Sequence, residues 1–271
     1  MVNEPIDYQA ITNNQKEVWD AASYQPIALK IMDMTEDLIR AVDPRPAQRV
    51  LDLACGTGNG ALVAARRECE VVGFDYAPSL IDRAHKRADA EGLTVDFRIG
   101  DVQELPFDDG SFDVVVSLFG VMFAPDQEKA ASELLRVCKP GGKIGLISWP
   151  PEGYASEFLQ AHARYNPPPP ELNPPMRWGT EEGLQELLGN SVRSIENQVR
   201  RNFFYAQSIE HLTEEYRTTF GPSATTFATL SKQHQEQLSN ELTEILQRYN
   251  LENNGTAMVE AEYLQTIAIR A

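Results

Sequence analysis

Three acids stand in series at or near the ends of short apolar runs, each with a glycine close by. Asp52 lies in Val50-Leu-Asp-Leu-Ala-Cys-Gly-Thr-Gly-Asn-Gly60, Asp75 ends Val71-Val-Gly-Phe-Asp75, and Asp101 opens the turn Gly100-Asp-Val-Gln103. Glycines in the first segment let backbone approach a ligand closely, and the bend frees N–H groups to face it. Asp52, inside the run before the loop, would repel a pyrophosphate and suit a ligand that carries an ammonium group. Asp75, about 20 residues past the loop, is placed to accept hydrogen bonds from both hydroxyls of a ribose, and it argues against a 2′-phosphate. Asp101 can accept from an exocyclic adenine amine while the next backbone N–H meets the ring. Taken alone, Asp75 also reads as a helix N-cap before Pro78, and Asp101 as an ordinary turn acid. Three acids in series at this pitch weigh against both.

The elements that must hold these acids alternate strand and helix. Short apolar runs predict strands over 50–54, 70–74, 94–99, 112–118 and 143–149, the last fed by the turn Lys139-Pro-Gly-Gly142. Amphipathic stretches predict helices over about 59–67, 79–90 and 127–137. Such alternation implies βαβ units and a parallel, doubly wound sheet. Before it, residues from about 8 to 42 carry apolar positions at helical spacing. After Trp149 come a proline-rich stretch over 150–178, whose run Pro167–Pro170 reads as a stiff connector or as a partner-docking PxxP motif, and a helix near 181–188. A possible edge strand follows over 191–205, then helices over about 208–249 and a last strand over 255–270. The expected architecture is an α/β, Rossmann-like doubly wound sheet of seven strands with an N-terminal helical lid and a helical cap inserted near the C-terminus. Residues 1–150 form the lid and core. Residues 151–271 supply the connector, the cap and the last strands of the same sheet.

The glycine loop by itself fits two ligand classes, because Gly56-x-Gly58-x-x-Ala61 also matches a dinucleotide fingerprint. The ordered set narrows the choice. Leu51-Asp-Leu-Ala-Cys-Gly-Thr-Gly58, Gly73-Phe-Asp75, Gly100-Asp-Val102, Phe112-Asp-Val-Val-Val-Ser117 and Leu135-Arg-Val-Cys-Lys-Pro-Gly-Gly142 resemble the motifs of class I S-adenosylmethionine-dependent methyltransferases. They are most similar to the small-molecule group of ubiquinone and menaquinone biosynthesis. The resemblance covers roughly residues 15–150, with Ala54 where the family's first loop glycine usually stands. It implies that Asp52, Ala54, Cys55, Gly56 and Gly58 line the methionine end of the cofactor. By the same resemblance Asp75 holds the ribose, Tyr76 and Leu80 flank the adenine, and Asp101, Val102 and Gln103 read its edge. Ser117 and Leu118 would place carbonyls near the amino group and methyl, while Phe119, Met122 and Tyr24 face the substrate. Plain core packing accounts for Met122 equally well. Trp19 and Tyr24 fit the family's lid.

The acceptor is less determined. Methyl transfer from a sulfonium needs alignment above all, and a base only when the nucleophile is protonated. His162 is the best-placed histidine, and a partly exposed helix position explains it as well. Tyr154, Phe158, Tyr165, Trp178, Phe203, Phe204, Tyr205, Tyr216 and Phe220 make the second half aromatic. Such residues suit an apolar or aromatic small molecule or a caged amine, or the packing of the cap itself. Two other functions remain open: a nicotinamide-dependent oxidoreductase, and a regulator that binds S-adenosylmethionine without turnover.

Charge and composition exclude more. The 271 residues hold 24 Lys+Arg and 40 Asp+Glu, a formal net charge of −16, with no basic run to neutralise phosphates. Nucleic acid is therefore not an expected partner. A base-methylating Asn/Asp-Pro-Pro-aromatic motif is also missing after the fourth strand, where Ser117-Leu-Phe-Gly120 stands; Asn173-Pro-Pro-Met176 lies elsewhere and lacks the aromatic. The apolar run 114–124 is too short to span a bilayer. Cys55, Cys69 and Cys138 give neither metal spacing nor a disulfide framework. With no signal-like N-terminus, they predict a reduced, cytoplasmic protein without a metal. No motif speaks to oligomeric state.

Overall fold

The computed structural model describes residues 6–271. Seven strands form one sheet: β1 (Arg49–Leu53), β2 (Glu70–Asp75), β3 (Asp96–Ile99), β4 (Phe112–Leu118), β5 (Cys138–Ser148), β6 (Val192–Ala206) and β7 (Ala257–Arg270). The order is β3-β2-β1-β4-β5-β7-β6. β1 to β5 run parallel, whereas β7 pairs antiparallel with β5 and with β6. The central parallel strands β1 and β4 are largely Val and Leu because helices cover both faces, whereas the edge strand β3 buries only Phe97. Val50, Leu51, Leu53, Val114, Val115 and Val116 are all buried accordingly.

The strand order reverses between β1 and β4. In open α/β sheets a crevice forms at that point, outside the carboxyl ends of the strands. Asp52, Asp75 and Leu118 lie at or near those ends, so the topology brings sequence-distant motifs together. The expected seven-stranded, doubly wound fold is present. β5 starts at Cys138, five residues before the expected 143, because Phe112 already pairs with Cys138 across an irregular register.

Two expectations need correction. The N-terminal helical stretch is three helices: α1 (Tyr8–Asp20), α2 (Gln25–Lys30) and α3 (Met32–Val42). Of these, α3 is sheet cover and not lid. Its Leu38 and Val42 pack so closely on β5 that a Cβ at Gly145 would lie 2.4 Å from Val42 Cγ2. The segment 150–178 is likewise not a plain connector. It contains α7 (Tyr154–Ala163), preceded in chain order by α4 (Asn59–Ala65), α5 (Pro78–Glu91) and α6 (Gln127–Val137). Gly153, at φ +96°, turns the chain into α7, and five of its side chains, Tyr154, Ser156, Phe158, Ala161 and His162, are buried.

The remaining helices are α8 (Glu181–Leu188), α9 (Ile209–Thr219), α10 (Gly221–Thr229) and α11 (Lys232–Arg248). Side-chain caps fix several starts. Thr180, Ser208 and Ser231 accept from backbone N–H groups three residues on, at the heads of α8, α9 and α11. Helices α9 to α11 are inserted between β6 and β7. No described helix is long and apolar enough to cross a membrane.

Candidate active site

One cavity opens at the strand-order reversal and holds about 1100 Å³ of empty space, part of it continuous with solvent. Its floor is the glycine loop between β1 and α4. Gly56 (φ +54°) has no atom within 4 Å of where a Cβ would sit, so its backbone faces open space. Gly58 (φ +83°) is not on the wall; it shapes the turn into α4, where a Cβ would come within 3.0 Å of the Phe97 ring. The loop is braced from two sides. Asn59 donates to the Ala28 carbonyl of α2 at 2.7 Å, and Arg87 donates to the Thr57 carbonyl at 2.6 Å and to Asn59 Oδ1 at 2.7 Å.

The acids at this floor are buried. Asp52 Oδ2 accepts from the Ala61 N–H at 2.7 Å, while its Oδ1 is buried without a partner among the described residues. Burial pushes its pKa up to about 7; the Ala61 N–H opposes that, and the charge of Asp75 adds to it. Asp75 Oδ2 accepts from the Gly56 N–H at 2.8 Å and Oδ1 from the Ala77 N–H at 2.9 Å. Burial raises Asp75 to about 6, against the pull of these backbone donors. An orphaned buried carboxylate oxygen is costly, and a cationic ligand group offsets that cost. S-adenosylmethionine carries such a group at its methionine end, so the donor set fits the cofactor implied by the motifs.

Tyr76, Leu80, Ala54 and Cys55 complete this half of the wall, as expected. Burial raises the Cys55 thiol well above its ordinary value, so it is a neutral packing group here. Other expected cofactor residues stand off the wall. Val102 is core, and Asp101 and Gln103 bond to each other through the Gln103 amide. Gln103 is further engaged by Thr12 and by the Asp126 N–H, which ties α1 to the start of α6. Ser117 is fully buried, its hydroxyl donating to the Leu53 carbonyl and accepting from the Val121 N–H.

The other half of the cavity is aromatic. Phe119 stacks on Trp149 with centroids 4.0 Å apart. Trp19 of α1 meets Tyr24, Phe123 and Phe220 at 5.4–5.6 Å. Tyr154, Phe158, Phe204 and Tyr216 close the far side. Tyr24 and Phe119 are thus on the wall where the sequence placed them, but Met122 is fully buried core. Of the aromatics named from sequence, Trp178 is buried elsewhere and Tyr205 is exposed; Tyr165 and Phe203 are also off the wall.

His162 is corrected on two counts. It is buried, not partly exposed, and its ring does not line the cavity. Nδ1 lies 2.8 Å from the Phe158 carbonyl of its own helix and Nε2 lies 2.8 Å from Ser223 Oγ of α10, so both nitrogens are already engaged, the second in packing α7 against α10. Burial lowers its pKa and keeps it neutral. Sequence reasoning missed Gly60, Gly120, Phe123, the α2 residues Ile27 and Ala28, and Ile31 just after them. Gly60 had a visible signal, since it follows the loop by one position. A Cβ there would fall 2.9 Å from Asp52 Oδ2 and 2.8 Å from Leu118 Cδ1.

Comparison with known proteins fits this geometry. A family model described as a methyltransferase domain matches residues 50–142. An uncharacterized protein of Mycobacterium bovis is 34% identical over 265 residues, spanning 94% of each chain. A demethylmenaquinone methyltransferase of Thermus thermophilus is 45% identical over 117 residues, which are 41% of this chain and 53% of that one. Among solved structures, the YcgJ protein of Bacillus subtilis shares the fold with a TM-score of 0.60 at 20% identity, over 88% of this chain and 98% of that one. The glycine loop alone left a nicotinamide cofactor open; the family closes that alternative. The chain belongs to the class I S-adenosylmethionine-dependent methyltransferases, and S-adenosylmethionine is its methyl donor.

Proposed function

We propose that the protein methylates an apolar, uncharged small molecule at a nitrogen, oxygen or carbon nucleophile by in-line displacement, releasing S-adenosylhomocysteine. The carrying observation is that acids and aromatics share one cavity but occupy opposite halves of it. When bound, the cofactor supplies an activated methyl group on sulfur. Asp52 and Asp75 would hold its ammonium and ribose, Tyr76 and Leu80 its base, and Leu118 and Phe119 mark the border between the two halves. Beyond that border no charged side chain lines the cavity among the described residues, so an anionic acceptor would lose its water without gaining a partner. No histidine lines it either. The acceptor therefore arrives as a nucleophile or passes its proton to water, and the chain's work is alignment and water exclusion. The division of labour falls near residue 150: the first part holds the cofactor, and the second, with α1 and α2, shapes the acceptor.

Methyl-labelled S-adenosylmethionine incubated with the protein and an extract of the source cell tests this reading. Label should appear in a product that partitions into organic solvent. Label confined to nucleic acid, protein or water-soluble ions would overturn it.

A further inference from the structure

Inside the aromatic half, the hydroxyls do not balance. Tyr154 Oη and Tyr216 Oη are 3.0 Å apart and buried, and either can donate to the other. Whichever donates, the second hydroxyl keeps a proton for which no acceptor lies within reach among the described residues. Tyr24 lines the same cavity, lies near enough to influence the ionisation of both, and makes no side-chain hydrogen bond among the described residues. Three O–H groups thus share one bond, which leaves two donors, one on the buried Tyr154–Tyr216 pair and one on half-buried Tyr24, in a chamber whose other walls carry no charged side chain. A buried donor left unsatisfied costs about 1–3 kcal/mol, so a ligand atom that accepts is rewarded.

We propose that Tyr24, Tyr154 and Tyr216 form a donor cluster that selects acceptor molecules carrying an uncharged oxygen, such as a ketone or ester carbonyl. This rests on the aromatic half being the acceptor site. The three residues come from the turn before α2, from α7 and from α9, and only the fold brings them together. Burial pushes all three phenols up, so each stays protonated and donates. A carboxylate accepts more strongly than a carbonyl, but it would enter this chamber with no cation to meet it. Lys30, at the edge, is already paired with Glu215 at 3.1 Å. An ammonium has no lone pair to offer. A site built to hydrogen-bond a substrate discriminates sharply against the analogue that lacks the group.

The test uses two probes of nearly equal shape, 2-acetylnaphthalene and 2-isopropenylnaphthalene, with 2-naphthoate as the charged control. Binding to the protein loaded with S-adenosylhomocysteine is read by equilibrium dialysis. The ketone should bind at least tenfold more tightly than the alkene and than the naphthoate. Replacing all three tyrosines with phenylalanine should bring the ketone-to-alkene ratio within twofold of one, with alkene and S-adenosylhomocysteine affinities unchanged within about twofold. A merely structural loosening would move both probes together. Y24F, on a turn outside the helices, should lose part of the ratio even if the triple variant folds poorly. A ratio near one in the native protein, a ratio that Y24F and the triple variant leave intact, or tighter binding of naphthoate overturns the donor cluster alone. Failure of every probe to bind overturns the chamber as acceptor site, and the cluster with it.

Discussion

The two halves of the cavity are built in opposite ways. The cofactor half comes from contiguous segments at the ends of β1, β2 and β4, holds two buried acids, and is fixed by backbone hydrogen bonds. The aromatic half collects side chains from α1, the α1–α2 connection, α7, α9, β6 and the turn after β4, and is fixed by ring contacts. On the proposed assignment the first half would recognise charge and hydroxyls at set points. The second would recognise shape, with a few phenol hydroxyls as its polar features. A methyl-transfer site needs both, because the donor is constant across the family and the acceptor is not.

The sharpest way to separate the halves is Asp75→Ala. It removes the acceptor proposed for two ribose hydroxyls and the partner of the Gly56 N–H. At about 1.5–3 kcal/mol per charge-assisted bond, S-adenosylhomocysteine affinity should fall on the order of 100-fold. Binding of 2-isopropenylnaphthalene should change far less. Calorimetry that finds cofactor affinity within threefold of the native value would break the assignment of this half.

A pH series probes the same half through Asp52. Its folded pKa, about 7, lies above its ordinary 3.8. For an acid raised in this way, the stabilising contribution is complete below about pH 4 and is lost as pH rises through about 7. The unliganded protein should therefore lose stability over that window, and Asp52→Asn should flatten the slope. Cofactor binding has the opposite sign, since the ammonium prefers the charged carboxylate. Affinity should fall about tenfold from pH 8 to 6 in the native protein. Asp52→Asn should show only the later fall near pH 6 that belongs to Asp75. An identical profile in both proteins would place the charged contact elsewhere.

Phe220→Ala is the counterpart in the aromatic half. The ring touches Trp19, Tyr24, Phe158 and Tyr216. Losing part of that wall should cost roughly 1–1.5 kcal/mol of apolar contact, about tenfold in affinity for naphthalene probes. S-adenosylhomocysteine affinity should stay within threefold. A larger cofactor loss would show that the halves are coupled through α1 and α2.

These differences in construction also explain what the sequence disclosed. The central strands were legible because parallel, doubly covered strands are written as largely apolar runs, and the acids stood out as interruptions in or just after them. Asp52 and Asp75 needed only local sequence to be found. Asp101 and Gln103 share the same local pattern, but the tertiary fold turns them toward α1 and α6, which no spacing rule encodes. In the aromatic half residue type says little, because a wall ring and a core ring obey the same preferences. Trp149 faces the cavity and Trp178 is fully buried, yet both follow or precede prolines in similar surroundings. Helix α7 was hidden because prolines flank it on both sides, at Pro151 and Pro167. His162 looked available because α7 itself was hidden, so its i−4 carbonyl partner Phe158 went unseen, and because Ser223 becomes a neighbour only once α10 packs on α7.

The smallest expected effect tests the backbone beneath the comparison. Ala54 and Phe119 both sit in the left-handed region, at φ +55° and +58°, one in each half. For an L-residue that geometry costs roughly 1–2 kcal/mol. At Phe119 the cost is offset by a ring stacked on Trp149. At Ala54 only a methyl group is held there, and a Cβ added at Gly120 would lie 2.5 Å from it, so the site is also tight. Ala54→Gly relieves the strain but frees the unfolded chain, which returns about 0.4–1 kcal/mol. The net should be a gain of about 0.5 kcal/mol in chemical denaturation, with cofactor affinity within twofold. A loss above about 1 kcal/mol would mean that the methyl group packs the loop against Gly120 more strongly than the backbone resists it. The cofactor half would then depend on side-chain fit as the aromatic half does, and the contrast between them would narrow to charge alone.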